Sequence, residues 1–142
     1  MKLHIITIGQ PKLSYAKEGW AEYWKRLEHY HQLRVTHIAD KNNDAKHIME
    51  AAENNYKVGL VIEGEQFSSH QLASFLEKRA LDNKEVSFII GGPDGLPAAL
   101  HEELDLSWSF GALTLPHDLA MVVLLESLYR ASTINAGQPY HR

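Results

Sequence analysis

The stretch "EVSFIIGG", residues 85–92, indicates which class of fold this chain adopts. Its apolar side chains follow one another without the polar alternation of a strand that has one face in water. A continuous apolar run of this length is expected of a strand covered on both faces, and the two glycines mark the loop that follows it. The stretch therefore predicts a strand covered on both faces, as in a parallel sheet with helices on both sides.

Outward from this strand, the chain alternates between strand-like and helix-like segments. The other strand-like segments are apolar runs bounded by turn residues: "KLHIITI" (2–8), "QLRVTHIA" (32–39), "KVGLVIEG" (57–64) and "DLSWSFG" (105–111). The helix-like segments have helical spacing of apolar residues or a start signal, and they cover residues 15–29, 44–55, 68–81, 97–104 and 117–134. Ser68 and Gln71 predict a capping box, and Pro116 predicts the start of the last helix. This alternation predicts an α/β fold with a mostly parallel sheet flanked by helices, in one domain over residues 1–142.

Composition limits the classes of function that fit the chain. The 142 residues are 44% hydrophobic and 23% charged, which is ordinary for a globular domain. The absence of cysteine excludes disulfides, thiol nucleophiles and thiolate metal sites. A net charge of -4 is too acidic for a protein that holds naked nucleic acid by charge alone. Because there is no apolar run of about 18 residues and no secretory signal, we expect a cytoplasmic protein.

The loop "GGPDG", residues 91–95, is the first candidate for a binding site, since ligands of open parallel sheets bind beyond the carboxyl ends of the strands. Consecutive glycines let the backbone approach a ligand closely, and the proline restricts the turn. The loop lacks the glycine order of a dinucleotide-binding fingerprint, and the chain has no phosphate-binding P-loop motif. A tight strand-to-helix turn without a ligand is the alternative interpretation.

Two further loops are candidates. The segment "SFGALTLPH", residues 109–117, offers backbone groups among small and apolar side chains, which suits a flat, nearly neutral heterocycle such as adenine. A simple buried loop explains the same pattern. The segment "LVIEGEQFSS", which begins at Leu60, is weaker, because Leu60 is by default a core residue and Glu63 and Glu65 belong to a solvated loop.

Four motifs, in this order, resemble the RlmH family of SPOUT methyltransferases: "IIGGPDGL" (89–96), "LTLPHDL" (113–119), "LLESLYRA" (124–131) and "PYHR" (139–142). The resemblance spans essentially the whole chain. It implies a SPOUT-type fold with a C-terminal trefoil knot and a homodimer. It also implies the use of S-adenosylmethionine to methylate N3 of a pseudouridine in 23S ribosomal RNA on assembled ribosomes.

The resemblance also implies a set of cofactor contacts. They fall on the three candidate loops, at Leu60, Gly92, Gly111, Ala112, Leu113, Thr114, Leu115 and Pro116. Methyl transfer from a sulfonium needs no metal, and none of the nine histidines forms a convincing ligand pair. We expect His29 and His31 to be surface residues.

Catalytic groups are expected mainly at the end of the chain. Tyr140 can stack on a base, Arg142 can hold a phosphate or a carbonyl group, and His141 can accept the imide proton. Because these residues would serve the RNA, we expect their removal to leave the stability of the fold nearly unchanged. Glu126 and Arg130 are i,i+4 neighbours that can pair, and a plain surface or helix-interface salt bridge is the alternative. His117 is a weaker candidate, since it is more often a helix N-terminal contact.

The last helix raises two further expectations. It is apolar on more than one face, which predicts that a second subunit covers part of it. Met121 stands where members of the family usually carry arginine, so we expect one positive group near the active site to be missing. Two alternative functions remain open from the residues alone: a non-catalytic ribosome- or RNA-binding protein, and a small flavin or phosphoryl-transfer enzyme.

Overall fold

The computed structural model describes residues 1–142 and alternates strands with helices. Its elements in chain order are β1 (Lys2–Ile8), α1 (Ser14–Leu27), β2 (Gln32–Ile38), α2 (Ala45–Ala52), β3 (Tyr56–Gln66), α3 (Ser69–Ala80), β4 (Val86–Ile90), β5 (Leu106–Ser109) and α4 (His117–Asn135). Short 3-10 helices cover Asp40–Asn42 and Ala98–Glu103, so the predicted helix over 97–104 is of the 3-10 type. The predicted capping box of Ser68 and Gln71 is confirmed.

All five strands are parallel and lie in the order β2-β1-β4-β3-β5. The central strand is β4, and every one of its residues is buried. The continuous apolar run predicted a strand covered on both faces, and β4 is such a strand. The α/β fold with a parallel sheet flanked by helices is confirmed.

A hydrophobic core lies on each face of the sheet, because successive side chains of a strand point to opposite faces. In β1, Leu3 and Ile5 belong to the larger core, which is completed by α1, α3 and α4. Ile6 and Ile8 belong to the smaller core, which packs against α2 and the second 3-10 helix. The loops at the carboxyl edge of the sheet are thus held on a support that is packed from both sides.

The last helix, α4, packs against both α1 and α3. Gly19 lets α1 approach closely, since a Cβ at this position would lie 3.0 Å from Cγ1 of Val122. Most of the apolar surface of α4 is therefore covered within the chain, and its apolar character does not by itself require a second subunit. Met121 is fully buried in the larger core, and the expectation that a positive group is missing near the active site stays a prediction.

Strand β3 is longer than the sequence predicts, because it continues to Gln66. Its pairing with β5 shifts register between Leu60 and Glu65, as in a β-bulge. The predicted loop after residue 64 is therefore partly strand. Glu63 and Glu65 are exposed, as expected.

Candidate functional site

A cavity of about 720 Å³ lies at the carboxyl ends of β4 and β5, against the middle of β3. Its volume is in the range of pockets that hold small organic ligands. All three loops selected from the sequence meet here, since its lining includes Leu60, the 91–95 loop and much of the 109–117 loop. Parallel strands whose carboxyl ends share one edge of the sheet bring these loops together.

Most of the predicted cofactor residues line this cavity: Leu60, Gly92, Gly111, Leu113, Thr114, Leu115 and Pro116. The exception is Ala112, which is exposed and does not belong to the lining. His117 also lines the cavity, as the first residue of α4. Its Nε2 atom is buried and has no hydrogen-bond partner within the protein.

The 91–95 loop forms one wall of the cavity with its backbone. A Cβ atom on Gly91 would overlap the backbone of Gly95, and Gly95 itself has a φ of +82°, which disfavours other residues. The amide of Gly95 donates to the carbonyl oxygen of Gly92 at 2.9 Å. The wall is a tight turn, so a ligand can approach the backbone at its three glycines closely.

Outside the backbone of the glycine-rich loop, the lining residues that were not named as site residues are Ile62, Ile90, Asp94, Trp108, Phe110 and Ala120. Asp94 is the only side chain of the lining that carries a formal charge, and it is exposed. Its position inside the glycine-rich loop could have identified Asp94 as a lining residue from the sequence. Trp108 directly precedes the second loop and Phe110 lies within it, but their apolar character indicated only the core.

A second group of polar residues lies further along α4, and we name Tyr23, Glu126, Arg130, Tyr140 and His141 the C-terminal cluster. Arg130 donates to Oε1 of Glu126 from Nη2 at 2.7 Å and from Nε at 2.9 Å, which confirms the predicted i,i+4 pair. The hydroxyl of Tyr140 donates to the same Oε1 at 3.2 Å and lies 3.3 Å from the hydroxyl of Tyr23. Nη1 of Arg130 lies 3.2 Å from Nδ1 of His141.

Tyr140 is tied to the rest of the protein through its ring as well. The ring meets Tyr129 edge-on with centroids 4.6 Å apart, and the guanidinium of Arg130 lies 4.8 Å from its centroid. Burial, and next the hydrogen bond with Tyr23, raise the pKa of Tyr140, so its hydroxyl stays protonated. The expectation that residues 140–142 contribute little to the fold is wrong for Tyr140, although Arg142 is exposed.

The cavity and the C-terminal cluster are separate places in one chain. Ala120 is the last residue of α4 in the cavity lining. Arg130 follows it along the same helix at an axial distance of about 15 Å. The structure therefore groups the predicted cofactor residues, and it groups Glu126, Arg130, Tyr140 and His141, but it does not join the two groups at one point.

Residues 1–141 match the family described as "Predicted SPOUT methyltransferase". The chain belongs to the SPOUT methyltransferase family. The resemblance inferred from the four motifs is thus confirmed, and the flavin and phosphoryl-transfer alternatives are excluded.

Curated relatives of this SPOUT protein are similar over their whole length. The chain is 51% identical to "Ribosomal RNA large subunit methyltransferase H" of Deinococcus radiodurans over 145 residues, covering 100% of this chain and 99% of the relative. It is 38% identical to the protein of the same name from Streptococcus agalactiae over 159 residues, with both chains covered completely.

Solved structures of low sequence identity share the SPOUT fold. A probable methylase family protein from Haemophilus influenzae has a TM-score of 0.64 at 11% identity, over 99% of this chain and 70% of that one. A probable methyltransferase from Bordetella pertussis has a TM-score of 0.58 at 14% identity, over 92% and 95% of the two chains. These likenesses support the fold alone.

Two expectations about histidines have different outcomes. His29 is exposed, as expected. His31 is only partly exposed, and its Nε2 lies 2.8 Å from Oγ of Ser132, so the expectation of a surface residue is wrong for it.

No group of three or more acidic, histidine or cysteine side chains is arranged to hold a metal ion. None of the helices is both long and apolar enough to cross a membrane.

Proposed function

We propose that this protein transfers a methyl group from S-adenosylmethionine to N3 of a pseudouridine in 23S ribosomal RNA, on assembled ribosomes in the cytoplasm. The observation that carries the proposal is the full-length similarity to ribosomal RNA large subunit methyltransferase H, at 51% identity. The alignment covers 100% of this chain and 99% of the relative.

The cavity fits S-adenosylmethionine in size and in chemistry. Its walls are mostly apolar side chains and glycine backbone, which suit an adenine ring and its hydrogen-bonding edge. Asp94 supplies one carboxylate for the positive charge of the sulfonium or the amino group. Contacts are proposed at Leu60, at Gly92 and over residues 111–116, with Ala112 contributing through its backbone only.

The C-terminal cluster and Arg142 are proposed to serve the RNA. Methyl transfer needs the nucleophilic nitrogen in line with the sulfonium methyl group, so residues that fix the base accelerate the step. Arg142 is exposed and carries a positive charge for a phosphate or a carbonyl oxygen. Arg130 holds His141 in place and Glu126 holds Tyr140, so we propose a positioning role for Arg130 and Glu126. His117, at the cavity, is proposed only as a contact near the cofactor.

The proposed active form is a homodimer in which the end of one chain serves the cavity of the other. The support is the separation along α4, because Glu126 and Arg130 follow the last cavity residue of this helix at axial distances of about 9 and 15 Å and are poorly placed to act there. A second protomer can bring its own cluster to the cavity. The trefoil knot implied by the family would hold the 91–95 and 109–117 loops around the cofactor.

The experiment that tests this function is a methylation assay on ribosomes that lack the modification. We expect the purified protein to transfer labelled methyl groups from S-adenosylmethionine to 23S RNA, with nucleoside mass spectrometry identifying N3-methylpseudouridine. Gly92→Val should abolish the transfer and the calorimetric binding of S-adenosylmethionine, since a Cβ there lies 3.3 Å from Cγ2 of Ile8 and the branched side chain fits only if the 91–95 loop of the cavity wall moves. Ribosome binding without any transfer by the wild type would instead support the non-catalytic alternative.

A further inference from the structure

The contact between Arg130 and His141 determines which nitrogen of the imidazole carries its proton. Nη1 of Arg130 lies 3.2 Å from Nδ1 of His141. A guanidinium has only N–H donors and does not lose its proton in proteins, so Nδ1 of His141 must be the acceptor. A neutral imidazole carries one proton, and it must therefore be on Nε2.

Arg130 is fixed in the geometry that makes this contact. Its Nε and Nη2 both donate to Oε1 of Glu126, at 2.9 and 2.7 Å, which leaves Nη1 for His141. On the other side, the ring of His70 meets the ring of His141 at 86° with centroids 5.0 Å apart. The imidazole is thus held from α4 and from α3, so the orientation of its two nitrogens is set before any substrate binds.

From this geometry we propose that His141 donates a hydrogen bond from Nε2–H to a carbonyl oxygen beside N3 of the target base, and does not accept the N3 proton. This inference rests on the proposed function and changes the role that the residue type alone suggested. A neutral histidine with Nδ1 engaged by Arg130 and a proton on Nε2 has no free lone pair for a base.

The donor role matches the charge that the reaction develops. When N3 of the base loses its proton to solvent water, the negative charge spreads onto the two flanking carbonyl oxygens. N3 then forms its bond to the methyl carbon, the bond from that carbon to sulfur breaks, and its electron pair goes to sulfur. A donor aimed at one carbonyl oxygen stabilises the anion and the transition state that follows from it.

The rest of the cluster agrees with this assignment. Tyr140 donates its proton to Glu126, and its pKa is raised, so it is not a base. Arg130 has no acceptor atom. Oε1 of Glu126 already accepts from Arg130 and from Tyr140. Arg130, Tyr140 and His141 therefore present donors to a base, and we assign the N3 proton to solvent water.

The first test is independent of catalysis. Long-range proton–nitrogen NMR of the full chain distinguishes the two neutral tautomers of a histidine, and His141→Gln identifies the signals by their loss. We expect the Nε2–H tautomer at pH 8, and a loss of this preference in Arg130→Met with retention in Arg130→Lys. A dominant Nδ1–H tautomer in the wild type would overturn the proposal, whether or not the protein proves to be a methyltransferase.

The second test uses substitutions that keep or remove the donor. The amide nitrogen of Gln can occupy the place of Nε2, so His141→Gln should lower kcat by at most about tenfold. His141→Asn places its amide near Nδ1 and, like His141→Ala, should lower kcat by about 100- to 1,000-fold. The pH dependence of kcat/KM should have the same shape in His141→Gln as in the wild type, because neither uses a basic nitrogen.

Equal loss of activity in His141→Gln and His141→Ala, with unchanged melting temperature and S-adenosylmethionine binding, would show that the residue acts as the base and would overturn the donor role. An inactive wild type would refute the proposed function instead, and the tautomer measurement would still decide the state of His141.

Discussion

Nε2 of His31 lies 2.8 Å from Oγ of Ser132, whose own proton goes to the carbonyl oxygen of Leu128. Ser132 must therefore accept from Nε2–H of His31, which leaves Nδ1 as the bare nitrogen. Nδ1 is buried without a partner, so a second proton there would have no acceptor. Burial, and next the charge of the amino terminus, lower the pKa of His31 to about 4.

We expect this histidine to make stability depend on pH. Its contribution is fully present above the ordinary pKa of 6.5 and decreases as the pH falls towards about 4, because the unfolded chain binds the proton first. His31→Gln keeps a donor for Ser132 but does not titrate. Between pH 6.5 and 4 the unfolding free energy of His31→Gln should therefore fall by about 1 to 2 kcal/mol less than that of the wild type. This value is discounted for the partial exposure of His31.

The measurement is urea unfolding of the wild type and His31→Gln at several pH values. His29→Gln is the matched control, since His29 is exposed, and it should behave like the wild type. Burial also lowers the pKa values of His4 and His37, so some pH dependence remains in every variant. An identical pH dependence of unfolding in His31→Gln and the wild type would contradict the conclusion that the lowered pKa of His31 makes stability depend on pH.

At the scale of an element, α4 connects the cavity with the C-terminal cluster. Its first residue lines the cavity, and its later turns carry Glu126 and Arg130. Between them, Met121, Leu124 and Leu125 are fully buried in the core. The helix is thus a rigid spacer, and the chain that follows it returns to pack Tyr140 against Tyr129.

Deletion of residues 140–142 should therefore destabilise the protein. It removes the hydrogen bonds of Tyr140 with Glu126 and Tyr23 and its contact with Tyr129. We expect a loss of about 1 to 2 kcal/mol, which corresponds to a decrease in Tm of about 3 to 8 °C. Calorimetry measures the change. Deletion of the exposed Arg142 alone is the control and should leave Tm unchanged, whereas an unchanged Tm in the longer deletion would mean that the cluster does not form in solution.

At the scale of the whole molecule, the distance along α4 predicts that two chains share each active site. Gly92→Val impairs the cavity and leaves the cluster intact, and deletion of residues 140–142 does the opposite. Each variant alone should be inactive. Mixed by refolding together, they should recover about a quarter of wild-type activity, since half of the dimers are then mixed and each mixed dimer has one intact site.

Light scattering should accompany this experiment and report about twice 16.1 kDa for the wild type and for both variants. Recovery of activity in the mixture supports a shared site. A dimer without recovery would mean that the cluster and the cavity of the same chain act together, and a monomer would exclude the shared site altogether.

The sequence by itself determined the elements whose signals are local. The apolar run of β4, the capping box of Ser68 and the i,i+4 pair of Glu126 and Arg130 depend on residues that are neighbours in the chain. Local spacing sets these features because strand and helix periodicities act over a few residues. The 91–95 and 109–117 loops were found for the same reason, since each lies at the end of a strand, whereas Leu60 lies within β3.

Only the tertiary structure decided which distant residues meet and which way a side chain points. The apolar residues of α4 have weak periodicity, so the sequence did not reveal that Met121 faces the core. Contacts between Tyr23 and Tyr140, or between His31 and Ser132, join segments more than 100 residues apart. Such contacts follow from the strand order and from the packing of α1 and α3 on α4, which local propensity does not encode. The same packing separates the C-terminal cluster from the cavity.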